Sequence, residues 1–468
     1  MLLAAYTLDT SSNTAPEAIL SLYGANFALE DTVDLLEAGQ PIYAGQVAYF
    51  MPRLWNKLEA ELHIKDGLSI FYDVEMPLAL VLAKMELEGF PIDGKLLSEI
   101  GASFKEKLDQ ATQRVYEAAG HEFNVASPKQ VAAVLFDELG LPKNRKGSTG
   151  ADVLKSLSNL HPLPSLLLEH RKYAKLLSTY IDTLIDHIYP DGKLHAVFNQ
   201  ALTSTGRLSS TDPNLQNIAL RDEEGRLVRQ AFYYPDPNYV LMSFDYSQIE
   251  LRILAHLSHC PALIEVFNRD EDIHAATAKR LFAHEGEITS LMRRRAKAVN
   301  FGIIYGISDW GLSEQLEIPP QESRQIINAF YAAYPEIKQY MIDLVDQVQK
   351  NGFVTTLTGR RRYLREIHDS NYQTREFAKR AAMNAPIQGT AADLIKLAMI
   401  KIDDELTSRK LASRLVLQIH DELVFKVPLD EIEIIKPLVL RTMENALPLN
   451  VKLQVVATQG RTWYDLKD

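Results

Sequence analysis

The chain has very little cysteine, no long apolar run and no excess of positive charge. Cys260 is the one cysteine among 468 residues, which excludes a disulfide within the chain and a cysteine-rich zinc site. The stretch MLLAAYTLDT at the start carries no basic region, and no stretch approaches the ~18 uninterrupted apolar residues of a membrane helix. We therefore expect a protein of a reducing interior, without a signal peptide or a membrane span.

The net charge of -11 argues at first against a polyanionic partner, but the basic residues are clustered. KNRK at 143–146, RRRAK at 293–297 and GRRRYLR at 359–365 concentrate positive charge in three places. Nucleic-acid binding depends more on such clusters than on a high overall charge. Any one of these runs alone is more simply interpreted as a solvated surface. The three clusters support nucleic-acid binding only in combination with the motifs described below.

Residues 1 to about 70 are mixed in pattern, and the stretch that follows them is mainly helical. With 46% hydrophobic and 24% charged residues, the chain is long enough for two or more cores. Apolar spacing predicts a helix over 72–89 and a long amphipathic helix over 98–120 that ends at Gly120. A further helix is predicted over 127–140, with Ser127 as the N-cap.

A carboxylate follows a predicted buried strand at position 245. The run NYVLMSF (238–244) predicts a strand that stops at Asp245, after which YSQIELRILAHLS has helical spacing. Ser247 and Glu250 match a capping box, in which Glu250 would only satisfy a backbone N–H. That alternative accounts for Glu250 but gives Asp245 no role.

The stretch LMRRRAKAVNFGIIYG (291–306) combines cations and aromatics on one helical face. Arg293, Lys297, Phe301 and Tyr305 recur every four residues. Such cations can grip phosphates, and such aromatics can stack on a base or a sugar. The alternative is an amphipathic helix with an aromatic core stripe, although cations in the first turn oppose the helix dipole.

The stretch RLVLQIHDELVFKVP (414–428) predicts a β-hairpin with His420, Asp421 and Glu422 at or near its turn. An ordinary turn also tolerates aspartate. Together with Asp245, however, the hairpin would bring a second carboxylate to one edge of a sheet. Oxygen ligands of this kind suit Mg²⁺, and two such ions can stabilise the attacking and leaving oxygens of a phosphoryl transfer.

Five segments resemble the motifs of family A DNA polymerases and occur in that family's order. They are TSTGRLSSTDPNLQNI (203–218), FDYSQIELRILAHLS (244–258), RRRAKAVNFGIIYG (293–306), NAPIQGTAADLIKLAM (384–399) and QIHDELVF (418–425). The likeness is to the C-terminal portion of bacterial members and extends from about Tyr72 to the C-terminal TWYD. It implies an α+β right-hand polymerase with an antiparallel palm sheet, helical fingers and thumb, and a small N-terminal remnant of an exonuclease-like domain.

The resemblance implies a division into five parts. They are an inactive, truncated 3′–5′ exonuclease-like remnant (1–72), a helical thumb (73–195), the first part of the palm (196–260), the fingers (261–382) and the second part of the palm with the catalytic hairpin (383–468). Proofreading relatives carry Asp-x-Glu and Tyr-x-x-x-Asp motifs, and residues 1–70 contain neither spacing. We therefore expect no proofreading.

The resemblance also implies roles for the catalytic and nucleotide-binding residues. Asp245 and Asp421 would bind two Mg²⁺ ions, with Glu422 assisting, and Lys297 would protonate the leaving pyrophosphate. Glu250 would be the steric gate against a ribose 2′-hydroxyl. The incoming nucleotide would further contact a set shared by the helix at 293–305 and the segment before it, namely Arg293, Lys297, Phe301, Tyr305 and His274.

A second set would hold the primer-template. Near the 3′ end these residues would be Arg207, Gln216, Arg380, Asn384, Gln388 and His420, and at the thumb tip Lys143, Arg145 and Lys146. Two positions depart from the family, which usually has proline where this chain has Ala219 and Arg365.

The implied activity is DNA-directed DNA synthesis from deoxynucleoside triphosphates, in replication or repair, by a monomeric cytoplasmic protein associated with the nucleoid. A metal-dependent nuclease could also use Asp245 and Asp421, but it would not need the nucleotide-gripping face of Arg293, Lys297 and Tyr305. A non-catalytic DNA-binding remnant would be free to lose its carboxylates. Nucleotide incorporation would distinguish a polymerase from the nuclease. Mg²⁺-dependent turnover would distinguish it from the non-catalytic remnant.

Overall fold

The computed structural model of the protein describes residues 1–23, 52, 54–143, 147–218, 223–282 and 286–466. The chain divides into two compact units. Unit 1 comprises Met1–Leu87, Phe198–Thr211 and Met242–Thr458, and unit 2 comprises Glu88–Val197, Asp212–Leu241 and Gln459–Asp468. The division into remnant, thumb, palm and fingers stays a prediction.

The described strands form one four-stranded sheet and three two-stranded ones. In chain order they are β1 (Phe90–Pro91), β2 (Lys193–Leu194), β3 (Val197–Asn199), β4 (Ser209–Thr211), β5 (Tyr239–Tyr246), β6 (Phe353–Thr355), β7 (Arg361–Tyr363), β8 (Arg414–Ile419), β9 (Glu422–Pro428) and β10 (Val455–Gly460). The large sheet has the order β10-β5-β9-β8.

The large sheet carries the predicted hairpin. β8 and β9 pair antiparallel and Ile419 lies opposite Glu422, so His420 and Asp421 form the turn. The sheet is buried along β5 and β9, where Phe244 meets Phe425 edge to face at 5.6 Å between ring centroids. The hairpin prediction is confirmed, with Glu422 belonging to the strand.

Helices make up most of the remaining described chain. Their bounds are Leu2–Leu8, Pro16–Tyr23, 54–64, Met76–Glu88, Gly94–Ala119, Pro128–Ala132, Ala151–Leu157, Leu163–Lys175, Thr183–Asp186, Glu223–Val228, Ile249–Leu257, Pro261–Asn268, Ile273–Leu281, Ser290–Ile304, Asp309–Leu316, Pro320–Ala333, Pro335–Asn351, Tyr372–Ser408 and Ile432–Glu444. Wider π-helical turns occupy Ile70–Glu75, Ala133–Glu138 and Leu176–Asp182. None of the helices in the described ranges combines the length and the apolar run that crossing a bilayer requires.

The predicted helices of unit 2 are present. The amphipathic helix Gly94–Ala119 begins four residues before the predicted 98, because the Asp93 side chain caps the free N–H groups of Lys95 and Leu96. It ends at Gly120, whose φ of 82° is the left-handed conformation that stops a helix. The Ser127 side chain accepts from the N–H of Gln130 and starts the next helix as predicted.

The N-terminal segment of unit 1 has a small core of its own. Its helices bury Ala4, Leu8, Ile19, Leu54 and Leu58 in one cluster. These residues come from three separate helices, so the segment is a packed structure and not an extended tail.

A buried ionic cluster joins distant parts of unit 1. The Glu75 carboxylate accepts from Arg360 (2.6 Å) and Lys396 (2.7 Å), and the Arg360 Nε donates to Asp393 (2.7 Å). All four side chains are almost completely buried. The two cations lower the pKa of Glu75 to about 2 against the opposing effect of burial. Glu75 is therefore ionised, and the two acidic and two basic groups balance each other.

Candidate active site

Of the two predicted metal-binding aspartates, Asp245 lies on β5 and Asp421 lies in the turn before the neighbouring strand β9. β5 continues through Asp245 to Tyr246, so the prediction that the strand stops at Asp245 is short by one residue. The N–H of Tyr246 donates to the backbone carbonyl of Asp421 at 3.1 Å. Since hydrogen-bonded strands run about 4.8 Å apart, this bond sets Asp421 beside the end of β5.

Glu422 faces the same side of the sheet as Asp245. Ser243 and Asp245 are two residues apart on β5 and therefore share a face. The Ser243 hydroxyl donates to the Glu422 carboxylate, and Glu422 is buried. Asp245 and Glu422 thus share one face of the sheet, with Asp421 in the adjoining turn; Asp245 and Asp421 are half-exposed and Glu422 is buried.

A network of hydrogen bonds fixes Glu250 near the end of β5. The helix Ile249–Leu257 starts after Gln248, whose φ of 55° is left-handed, and no capping box forms. The Glu250 Oε1 accepts from Arg207 at 2.6 Å, while its Oε2 accepts from the Tyr305 hydroxyl at 2.9 Å. The capping alternative is therefore wrong, because both carboxylate oxygens bond to side chains far away in sequence.

The surroundings of Tyr305 include the charges of Glu250 and Asp421. Desolvation raises the pKa of the Tyr305 hydroxyl most, and the nearby charges of Glu250 and Asp421 raise it further. The hydroxyl consequently stays protonated and donates to Glu250. Tyr305 and Glu250 are thus joined by a direct hydrogen bond, and Asp421 lies near enough to affect the pKa of Tyr305.

The predicted nucleotide-binding face lies on the helix Ser290–Ile304, and Tyr305 is the C-cap residue of this helix. Arg293 and Lys297 are exposed and Phe301 is half-buried. The Arg293 Nε donates to Asp272 at 2.6 Å. Desolvation raises the pKa of Asp272, but hydrogen bonds outweigh it and hold the pKa below its usual value. The bond from Arg293 has the largest lowering effect. Asp272 is the N-cap of the helix Ile273–Leu281.

His274 follows directly and is buried. Its ring lies 5.8 Å from the Phe301 ring, centroid to centroid. Burial, and then the charges of Arg293 and Lys297, lower the pKa of His274 to about 4. The Asn300 amide nitrogen lies 3.0 Å from Nδ1, and an amide N–H can only donate, so the neutral ring carries its proton on Nε2.

The three predicted DNA contacts of the long helix Tyr372–Ser408 lie four residues apart on one face. Arg380 is exposed and packs against Gly306, whose added Cβ would come within 2.9 Å of the Arg380 Cγ. Asn384 is buried and donates to the carbonyl of Ile304 at 3.4 Å. Gln388 is half-buried. The face thus starts beside Tyr305 and continues along the helix.

The remaining predicted DNA contacts fall in different places. His420 is exposed in the hairpin turn with a φ of 50°. In unit 2, Gln216 is half-buried in the short helix Leu215–Asn217, and Lys143 is exposed with its Nζ 5.8 Å from the Phe136 ring centroid. Arg145 and Lys146 lie outside the described residues.

The two departures from the family pattern have different outcomes. Arg365 forms an ion pair with Asp9, 3.5 Å between Nη2 and Oδ2. Ala219 lies outside the described residues. The Arg365 side chain is largely exposed, so this pair contributes little to stability.

Sequence reasoning missed three polar residues of the site. Ser243 bonds Glu422, Asp272 holds Arg293, and Asn300 orients His274. Asn300 was detectable in principle, because an asparagine between Val299 and Phe301 interrupts an apolar helix face. Ser243 and Asp272 give no such signal in the sequence.

The donor set suits a hard divalent cation that keeps much of its water. Throughout the part of the chain that the structure describes, no group of three or more His, Cys, Asp and Glu side chains is arranged to hold a metal ion. Asp245 and Asp421 offer carboxylate oxygens alone, and Mg²⁺ commonly binds through one or two carboxylates plus substrate phosphates. The residues therefore fit Mg²⁺ better than a fully protein-coordinated zinc site.

Comparison with known proteins gives a consistent result. Residues 94–465 match the family described as DNA polymerase family A. The chain is 48% identical over 431 residues to DNA polymerase I of Bacillus subtilis (strain 168), covering 91% of this chain and 49% of that protein. It is 44% identical over 483 residues to DNA polymerase I of Geobacillus stearothermophilus, covering 100% of this chain and 55% of that protein.

A solved structure shows the same fold. The polymerase domain of Pol1 from M. smegmatis, in complex with DNA primer-template and dNTP, matches with a TM-score of 0.92 at 41% identity. The match covers 99% of this chain and 82% of that one. The chain belongs to DNA polymerase family A. It spans about half the length of the curated relatives it matches.

Proposed function

We propose that this chain is a DNA-directed DNA polymerase that adds deoxynucleotides to the 3′ end of a primer, in DNA replication or repair. The observation that carries the proposal is the bond between Tyr246 and Asp421, which sets two carboxylates at one sheet edge beside Glu250 and Tyr305. A nucleotidyl transfer needs this combination of a metal-binding edge and a shaped nucleotide pocket. The family match to residues 94–465 supports it.

Asp245 and Asp421 would hold two Mg²⁺ ions, which when bound would supply Lewis acidity at the attacking and leaving oxygens. Glu422 is held in place by the Ser243 hydroxyl and would assist the two aspartates. The protein's task is then mainly to position the primer end and the triphosphate and to neutralise charge.

The triphosphate would bind along the helix Ser290–Ile304. Arg293 exchanges Asp272 for a phosphate, because a triphosphate carries more negative charge than one carboxylate. Lys297 is the candidate acid for the leaving pyrophosphate. His274 is neutral, with its proton on Nε2, and can donate that proton in a hydrogen bond to a phosphate oxygen without adding charge.

The sugar would lie against Glu250. Both oxygens of this carboxylate are occupied by Arg207 and Tyr305, so its side chain cannot swing away from a ribose 2′-hydroxyl. Phe301 and Tyr305 complete the walls of the pocket. We infer that Glu250 selects deoxynucleotides by occupying the space that the extra hydroxyl requires.

Primer-template DNA is the proposed partner, and the M. smegmatis relative was solved with DNA primer-template and dNTP. The proposed contacts near the primer end are Arg207, Gln216, Arg380, Asn384, Gln388 and His420, and those at the thumb tip are Lys143, Arg145 and Lys146. We further propose that the protein acts as a monomer, and that it works in the bacterial cytoplasm at the nucleoid, where its DNA substrate is found.

One experiment tests the proposal directly. A 5′-labelled primer on a defined template is incubated with the protein, Mg²⁺ and the four deoxynucleotides. Stepwise lengthening that follows the template sequence is expected. Shortening would instead identify a nuclease, and an unchanged primer that remains bound would identify a non-catalytic DNA-binding protein.

A further inference from the structure

The backbone at 200–204, just before Arg207, is held by the N-terminal segment, which we define as residues 1–23 and 54–75. The side-chain amide of Gln200 donates to both the backbone carbonyl (2.9 Å) and the carboxylate (2.8 Å) of Glu75. The Thr14 hydroxyl donates to the carbonyl of Ala201 at 3.4 Å. The start of this loop is therefore fixed from outside the five polymerase motifs.

Two further anchors lie closer to Arg207 in the chain. The Tyr6 hydroxyl donates to the backbone carbonyl of Thr203 at 2.6 Å, and the Thr10 hydroxyl donates to that of Ser204 at 2.9 Å. Both donors are almost completely buried. Burial raises the pKa of Tyr6 to about 12, so the hydroxyl remains a donor at any working pH.

From this loop a continuous set of hydrogen bonds leads to the nucleotide pocket. The Thr203 hydroxyl donates to the carbonyl of Arg207 at 2.6 Å. The Arg207 guanidinium donates to Glu250, and Glu250 also accepts from Tyr305. The N-terminal segment is thus connected to the proposed sugar gate through one loop.

We propose that the N-terminal segment is a positioning element of the active site, in which Tyr6 and Thr10 hold the loop that sets Arg207 against Glu250. The inference rests on the proposed function. Neither residue touches the substrate, so both are positioning residues. Loss of either bond would let the loop move, and Arg207 would no longer hold Glu250 in one orientation.

The chain offers a matched control. Thr7 and Thr10 are both buried threonines of the same segment, but the Thr7 hydroxyl donates to Leu3 within its own helix. Thr10→Val and Thr7→Val each replace one hydroxyl with a methyl group of similar size. Only Thr10→Val removes a hydrogen bond to the loop. Tyr6→Phe removes the hydrogen bond to Thr203, and Thr10→Ser keeps a hydroxyl that can bond to Ser204.

The full chain and the four variants are compared in three measurements. These are kcat and KM for deoxynucleotide incorporation, the ratio of ribo- to deoxynucleotide incorporation, and amide hydrogen exchange over residues 203–207 without DNA. Thr10→Val and Tyr6→Phe should each lower kcat about fivefold, the factor equivalent to one hydrogen bond, and raise the ratio by a similar factor. Exchange over the loop should be faster in both, and Thr7→Val and Thr10→Ser should resemble the parent.

The outcomes separate this inference from the proposed function. If the parent extends primers and Thr10→Val and Tyr6→Phe match Thr7→Val in selectivity, the positioning role is overturned. If all variants lose activity in proportion to their melting temperatures, the segment is only a structural support, which also overturns it. If the parent does not extend primers, the proposed function fails, and equal loop exchange in Thr10→Val and Thr7→Val would refute the anchoring as well.

Discussion

Tyr246 and Asp421 are 175 positions apart in sequence, yet the N–H of Tyr246 donates to the backbone carbonyl of Asp421 at 3.1 Å. The bond joins the last residue of β5 to the hairpin turn before β9. It fixes the backbone at Asp421 beside the end of β5, the strand that carries Asp245.

Replacing either aspartate should therefore remove activity without unfolding the protein. Asp245→Asn and Asp421→Asn keep the size of the side chain but remove its charge, and each should lower primer extension about a thousandfold or more, because several kcal/mol of metal-dependent stabilisation are lost. Extension rates and melting curves are measured side by side. Asp404→Asn, at an exposed position of the long helix, serves as the control. Near-normal turnover in either variant would contradict the assignment.

Glu250→Ala should admit ribonucleotides. Shortening the side chain opens the space proposed to exclude a 2′-hydroxyl, and it also leaves Arg207 and Tyr305 without their shared acceptor. The ratio of ribo- to deoxynucleotide incorporation should rise at least about tenfold, which corresponds to 1.4 kcal/mol. In Glu250→Gln, which keeps the bulk of the side chain, this ratio should rise much less. Equal ratios in the two variants and the parent would show that Glu250 does not contact the sugar.

His274 should make the stability of unit 1 depend on pH. Its pKa is lowered to about 4 in the folded protein, against about 6.5 in an unfolded chain. The unfolded state therefore binds more protons between these values, and the free energy of unfolding falls as pH drops from about 6.5 to about 4. The loss attributable to this residue is at most about 3 kcal/mol.

The measurement compares denaturant unfolding of the parent and of His274→Gln at pH 7 and pH 4.5. Other titrating groups affect both proteins alike, so the difference between the two pH responses isolates the histidine. The variant should lose less stability on acidification. Identical losses in the two proteins would mean that His274 is not held neutral by its surroundings.

The buried ionic cluster predicts a large stability effect at Glu75. Glu75→Gln removes one charge and leaves Arg360 and Lys396 facing only Asp393, which should cost about 3 kcal/mol or more. The matched control is the exposed pair Lys84 and Asp403, where Asp403→Asn should cost less than about 1 kcal/mol. Chemical denaturation of both variants gives the comparison. Equal small losses would show that water reaches the cluster.

The parts of this fold that depend on local pattern were predictable from sequence. Gly120 and Ser127 end and begin helices by backbone rules that act within a few residues, and both predictions are confirmed. The hairpin at Asp421 follows from two apolar arms and a short polar turn. Local rules also mislead, because the spacing of Ser247 and Glu250 fits a capping box that the left-handed Gln248 prevents.

Partners that meet only through the tertiary fold were not predictable. Glu75 and Arg360 are 285 positions apart, and neither stretch suggests that a carboxylate there will be completely buried. The same holds for Tyr6 and Thr203, which are 197 positions apart. A single sequence identifies residues with suitable chemistry, but distances across the core decide which of them bond.

The last prediction is that this chain does not trim a mismatched primer. A 3′–5′ exonuclease of the two-metal type needs several carboxylates to activate a water and to stabilise the leaving oxygen. Residues 1–70 have no Asp-x-Glu and no Tyr-x-x-x-Asp spacing. Where this segment is described, its buried residues are mainly apolar, with Ala4, Leu8 and Leu54 in one cluster. Of its acidic residues, Asp9 is paired with Arg365 and Asp66 with Arg361.

The test uses a primer with a mismatched 3′ end, labelled at its 5′ end, with Mg²⁺ and without nucleotides. The parent should leave the primer at full length, and adding deoxynucleotides should give slow extension or stalling without earlier shortening. Asp245→Asn, which lacks polymerase activity by the first prediction, is included to separate trimming from reversal of synthesis by pyrophosphate. Metal-dependent trimming that persists in both highly purified proteins would mean that this chain has a hydrolytic site apart from the proposed polymerase site, and that the absence of the two motifs does not exclude one.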